Sequence, residues 1–116
     1  MQTIVSTATF VSDARQAGMS EDEVEAVVDT IAANPVAGDL IKGTGGARKL
    51  RHRRRGSGKS GGYRTVHYFA GKDIPVFLLA VYGKGDKDNL SQAERNAIAK
   101  VLSTLASEYR SKRKVR

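Results

Sequence analysis

Eight lysines and arginines stand between Arg48 and Arg64 (Arg48, Lys49, Arg51, Arg53, Arg54, Arg55, Lys59 and Arg64), and no carboxylate interrupts them. Guanidinium and ammonium groups are donors only, which suits them to phosphate. On a strand, cations at alternate positions project from one face about 6.5–7 Å apart, close to the phosphate spacing along one strand of nucleic acid. Chemistry beyond binding has a narrow range here. His52 and His67 read as packed strand histidines, and no histidine pair, His–Asp pair or acidic metal cluster is visible in the chain. Without cysteine there is no thiolate chemistry. Cations and tyrosines can still cleave RNA, because its own 2′-hydroxyl is the nucleophile. The protein must orient that hydroxyl in line and neutralise the phosphorane. A lysine with a lowered pKa would help, and Lys49 is crowded between Arg48 and Arg51.

Gly56-Ser-Gly-Lys-Ser60 resembles part of a nucleotide-binding loop. It lacks the first glycine four residues earlier, and it leads into a strand instead of a helix, so it reads as a basic arm that touches phosphates.

The elements that must position these cations follow from periodicity. Thr3–Ser6 suits a short opening strand, the alternative being direct entry into a helix from Thr9. Ser20 and Glu23 form a capping box, and Val24, Val27, Val28 and Ile31 supply the apolar stripe of a helix over about 21–33, which Asn34-Pro35 ends. After Gly43-Thr-Gly-Gly46 the period changes to two. Ala47–Arg53 then places Lys49, Arg51 and Arg53 on one face and Arg48, Leu50 and His52 on the other. Tyr63–Phe69 and Val76–Tyr82 complete an antiparallel meander, with Arg64, Val66 and Tyr68 on one face and Tyr63, Thr65 and His67 on the other. Tyr82-Gly-Lys84 brings Lys84 towards the same end of the sheet. Ser91 and Glu94 form a second capping box, which opens a helix carrying Ile98, Val101, Leu102, Leu105 and Tyr109 on one face. The expected architecture is α+β: two N-terminal helices packed on the meander, plus a C-terminal helix. The helices should cover one sheet face, leaving Lys49 and Arg51 open on the other. Residues 1–110 form one domain and 111–116 a basic tail.

Charge divides the same way. Residues 1–41 carry seven acidic groups and one basic group, and residues 42–116 carry nineteen basic groups and five acidic ones, giving +8 in all. A field so concentrated attracts a polyanion, and nucleic acid is the expected partner. The longest apolar stretch, Val76–Tyr82, is far short of a membrane span, and the N-terminus lacks the pattern of a signal peptide. A cytoplasmic protein without membrane contact, metal or cofactor is expected.

The order of motifs carries a resemblance. Two helices, Gly43-Thr-Gly-Gly-Ala-Arg-Lys-Leu-Arg51, a Gly/Lys-rich loop, Gly61-Gly-Tyr-Arg64 with Tyr68-Phe69, then Leu78-Leu-Ala-Val-Tyr-Gly-Lys84 and a closing helix resemble the RelE/ParE superfamily over residues 4–108. Within it they are most similar to HigB-type toxins of type II toxin–antitoxin modules. The RelE branch implies a ribosome-dependent endoribonuclease that cuts mRNA in the 30S decoding site through 2′-hydroxyl attack. On that resemblance Lys49 is the base or orients the nucleophile, and Arg51 and Arg64 clamp the phosphate. Lys84 stabilises the leaving oxygen. Further RNA contacts are expected from Arg48, Arg53, Arg54, Arg55, Lys59, Tyr82 and Lys87. The RelE branch also stacks a C-terminal tyrosine on the substrate base; residues 83–90 contain none, and Tyr82 or Tyr109 is the available substitute. A cognate antitoxin is implied, with an acidic segment that folds onto or near the basic face. The free toxin is expected as a monomer, with higher assemblies formed through the antitoxin. The alternatives are a ParE-like inhibitor of DNA gyrase and a non-catalytic basic RNA- or ribosome-binding protein.

Overall fold

The structure is a computed structural model that describes residues 2–53, 62–83 and 90–114. Its elements run β1 (Ile4–Ser6), α1 (Ala8–Gln16), α2 (Glu21–Ala33), β2 (Asp39–Leu40), β3 (Ala47–His52), β4 (Tyr63–Tyr68), β5 (Val76–Gly83) and α3 (Gln92–Lys114). The strands form one sheet in the order β1-β5-β4-β3-β2. Strands β2 to β5 are successively antiparallel, whereas β1 runs parallel to β5 with Ile4 opposite Val76.

Local chemistry sets the helix starts. Thr7 Oγ1 accepts from the Phe10 backbone N–H at 3.2 Å and donates to the Leu78 carbonyl at 2.8 Å, which ties the entry of α1 to β5. The capping box of α2 forms in both directions, between Glu23 N–H and Ser20 Oγ (3.2 Å) and between Ser20 N–H and Glu23 Oε1 (2.9 Å). Ser91 and Glu94 repeat it at α3, at 3.1 and 2.8 Å. Each such cap contributes about 1 kcal/mol.

Two cores lie on opposite sides of the sheet. Phe10 and Ala14 of α1 and Val27 and Ile31 of α2 pack on Tyr63, Val76, Leu78 and Val81. Leu102 of α3 joins Ala47, Val66, Phe77, Leu79 and Tyr82 on the other face. Phe10, Ile31 and Leu78 are fully buried, each worth about 1.5–3 kcal/mol in apolar surface removed from water. A bulge at Val66/His67 against β5 breaks the alternation, so that Leu79 and Ala80 both join the α3 side before Val81 returns to α1 and α2.

Three expectations change. The helices occupy both faces, because β5 is apolar on both sides and each side must be covered. The glycine run 43–46 is the turn of a hairpin, with Asp39–Leu40 pairing as an extra edge strand against Arg48 and Lys49. The basic segment expected as a tail from residue 111 is helical as far as Lys114, as the end of α3. At the N-terminus both forms of the opening are realised: a strand, and directly after it a helix.

Candidate functional site

Strand register decides which side chains meet. Arg51 stands directly opposite Arg64 across β3 and β4, and Arg64 stands opposite Tyr82 on β5. Lys49 is opposite Val66 on one side and Asp39 of β2 on the other. Directly opposed residues of an antiparallel pair share a face, with Cβ atoms about 4.5–5.5 Å apart. Lys49, Arg51 and Arg64 therefore converge on the face that also carries α3. That helix covers the apolar part, where Ala47, Val66 and Phe77 lie, and no α3 residue lines the depression beside the cations. A depression of about 170 Å³ remains, lined by Asp39, Lys49, Leu50, Arg51 and Arg64. Arg51 also borders a larger cleft of about 930 Å³ between α2 and the end of β3, with Asp22, Glu23, His52, Arg53 and Tyr63.

The sequence did not point to Asp39. A two-residue strand carries no periodicity, and the signal that was available is the glycine turn, which folds residues 39–40 back onto the start of the basic strand. Gly38 fixes this approach. Its φ is +89°, and a Cβ there would run into the Lys49 carbonyl oxygen.

Other expected site residues fall elsewhere. Arg48 faces the opposite side, opposite His67, and its Nη1 donates to the carbonyls of Val36 (3.0 Å) and Gly38 (3.3 Å). It is corrected from an RNA contact to a clasp that holds the α2–β2 connection on the sheet. Lys49 is consequently not flanked by Arg48 and Arg51 on one face: among the described residues, the cations beside it on its own face are Arg51 and Arg64. Tyr82 is corrected as well, since it is 7% exposed and packed with Leu90 and Leu102, leaving no ring face open to a base. Tyr109 is no substitute, because it makes an edge-to-face contact with Phe77 (6.2 Å, 74°) and borders Lys72–Pro75, at the far end of the sheet from Arg64. Arg53 is exposed just beyond β3. Arg54, Arg55, Lys59, Lys84 and Lys87 lie outside the described residues.

Both histidines belong to the α1–α2 face. His52 Nε2 lies 2.8 Å from Thr65 Oγ1, and burial, then the charge of His67, lowers its pKa to about 4. His67 is fully buried, and because a carbonyl only accepts, its Nε2–H donates to Pro35 O at 2.9 Å. Burial lowers its pKa, Arg48 lowers it further, and the bond to Pro35 opposes both. Its Nδ1 has no hydrogen-bond partner among the described residues. Two neutral rings on the covered side of the sheet are remote from the cationic depression.

A face of three cations with one carboxylate at its edge can hold a phosphodiester and stabilise added negative charge on it. Among known proteins, the family model described as the RelE toxin of the RelE/RelB toxin–antitoxin system matches residues 2–114. The solved structure of a free-state mutant of the E. coli toxin RelE is similar in fold, with a TM-score of 0.53 and 17% sequence identity, covering 90% of this chain and 98% of that one.

Proposed function

The chain belongs to the RelE family of toxins of toxin–antitoxin systems, and on that premise we propose that it is a ribosome-dependent endoribonuclease that cuts mRNA in the decoding site. The observation that carries this reading is the convergence of Lys49, Arg51 and Arg64 on one open face. Arg51 and Arg64 hold the non-bridging oxygens of the scissile phosphate, where paired guanidinium groups resist the added charge of the phosphorane. Lys49 orients the 2′-hydroxyl or takes its proton, and Lys84 serves the leaving oxygen. The ribosome supplies what the small face lacks, namely a codon held in an extended, in-line conformation.

Membership of this family also implies an antitoxin. The partner is an acidic segment that neutralises the cationic face, because a chain with nineteen basic groups in residues 42–116 repels itself there. The site of action is the cytoplasm, where ribosomes translate. No helix among the described residues is long and apolar enough to cross a membrane.

The test uses purified protein, programmed ribosomes and a defined mRNA, with 5′ ends mapped beside a ribosome-free control and Arg64→Ala. Cuts inside the reading frame that need ribosomes and disappear with Arg64→Ala are expected. Intact mRNA on normally translating ribosomes would turn the reading towards inhibition of DNA gyrase or towards RNA binding without cleavage.

A further inference from the structure

Cleavage through the 2′-hydroxyl requires a group that accepts its proton, and cations are poor candidates. Lysine and arginine in their charged forms donate hydrogen bonds and accept none. Among the described residues lining the depression, Asp39 carries the one carboxylate. Its carboxylate is exposed and makes no hydrogen bond or ion pair with the described residues. The backbone holds it in place: Asp39 pairs in register with Lys49, Arg48 bonds the carbonyls of Val36 and Gly38 just before it, and a Cβ at position 38 would collide with the Lys49 carbonyl. An acidic residue at the edge of a basic face is a poor feature for RNA affinity alone. It is well placed for proton transfer.

We propose that Asp39 is the general base of the cleavage, an assignment that rests on the endoribonuclease reading above and makes Lys49 the group that orients the nucleophile. Asp39 removes the proton of the 2′-hydroxyl, and the freed electron pair forms the O2′–P bond. Arg51 and Arg64 hold the phosphorane. The P–O5′ bond then breaks, its electron pair leaves on the 5′-oxygen, and that oxygen takes a proton from water. The protonated Asp39 returns its proton to the hydroxide so formed. The products are a 2′,3′-cyclic phosphate and a 5′-hydroxyl, with atoms and charge balanced. Strands β2 and β4 flank β3, two generic strand spacings or about 9–10 Å apart, so Asp39 and Arg64 stand on opposite sides of the Lys49–Arg51 row. Among the described residues, the charged groups facing Asp39 are Lys49 and Arg51 of β3 and Arg64 of β4, while Arg48 of β3 lies on the other face.

The experiment measures single-turnover cleavage on programmed ribosomes for the unmodified protein, Asp39→Asn, Asp39→Glu and Arg64→Ala. Ribosome affinity and thermal unfolding are followed in parallel. Asp39→Asn is expected to cleave about 10²–10⁴-fold more slowly with unchanged ribosome affinity, and Asp39→Glu to recover most of the rate. The pH profile separates a base from a structural residue. Between about pH 6 and 8 Asp39→Asn, left to hydroxide, should speed up about tenfold per pH unit, more steeply than the unmodified protein. Cleavage by Asp39→Asn within about threefold of the unmodified rate, with Arg64→Ala inactive, overturns the role of Asp39 and leaves the endoribonuclease reading standing. A loss confined to ribosome affinity, or a level profile in a slowed Asp39→Asn, also overturns it. If the unmodified protein does not cut at all, the endoribonuclease reading falls and Asp39 falls with it.

Discussion

Acidification from neutral pH should weaken this fold, and His52 sets the scale. The ring is half-buried beside Thr65, and its pKa is about 4 in the folded chain against 6.5 for a free histidine. Well above pH 6.5 neither folded nor unfolded chain protonates it, and the ring contributes no pH dependence to stability. Below 6.5 the unfolded chain takes up a proton that the folded chain refuses, so stability falls until the folded ring titrates near pH 4. At pH 5 this difference is at most about 2 kcal/mol, taking 1.36 kcal/mol per pH unit. The ring keeps some contact with water, and screening reduces the expected loss to about 1 kcal/mol. His67, fully buried with its pKa also lowered, adds a loss of the same sign. Against a total of about 6–17 kcal/mol for a domain of this length, the effect is measurable. Urea unfolding followed by circular dichroism at about pH 7.5, 6 and 5 provides the test, with His52→Gln beside the unmodified protein. Stability should drop towards pH 5, and less steeply in His52→Gln. A level or rising stability, or an unchanged drop in His52→Gln, would refute the reasoning.

Three further outcomes follow from particular contacts. Arg51→Ala should slow cleavage on programmed ribosomes by about 10²–10³-fold, as expected for removing a donor to the developing oxyanion. It should change stability by no more than about 0.5 kcal/mol, since the residue is exposed, and urea unfolding checks this. Gly38→Ala should destabilise by more than about 1 kcal/mol, because its positive φ and the Lys49 carbonyl both reject a methyl group. The same substitution should lower cleavage by moving Asp39 off its register, whereas Gly18→Ala, with positive φ but nothing near the added Cβ, should cost stability without that loss. Ile31→Ala, at a fully buried position between α2 and the sheet, should cost about 2–5 kcal/mol in thermal or urea unfolding.

The helices and the three long strands were legible because each advertises itself locally. Ser20-Glu-Asp-Glu23 satisfies its own N–H groups, and the alternation through Lys49, Arg51 and Arg64 is strict enough to assign faces before any contact is known. What lay beyond reach depends on partners distant in sequence. The parallel pairing of Ile4 with Val76 spans most of the chain, and three residues of strand carry no periodic signal. That β5 is buried on both sides was written in the unbroken run Val76–Tyr82, yet the run does not say which helix takes which face. The candidate site divides likewise. Its cations follow from alternation, whereas Arg48 and Tyr82 were grouped with them by charge and proximity, and tertiary packing assigned them to other work. Asp39 lies in the acidic part of the sequence, and only the hairpin carries it to the basic face.

In the proposed cleavage the RNA supplies its own nucleophile and this face directs it. The measurement that tests it most directly is cleavage on ribosomes programmed with paired mRNAs, identical except for a single 2′-deoxynucleotide at the mapped cut, with the end groups of the fragments identified. The account predicts a 5′-hydroxyl and a 2′,3′-cyclic phosphate from the all-ribose message, and an intact link at the deoxy position. Cleavage at the deoxy position, or fragments bearing a 5′-phosphate, would contradict it.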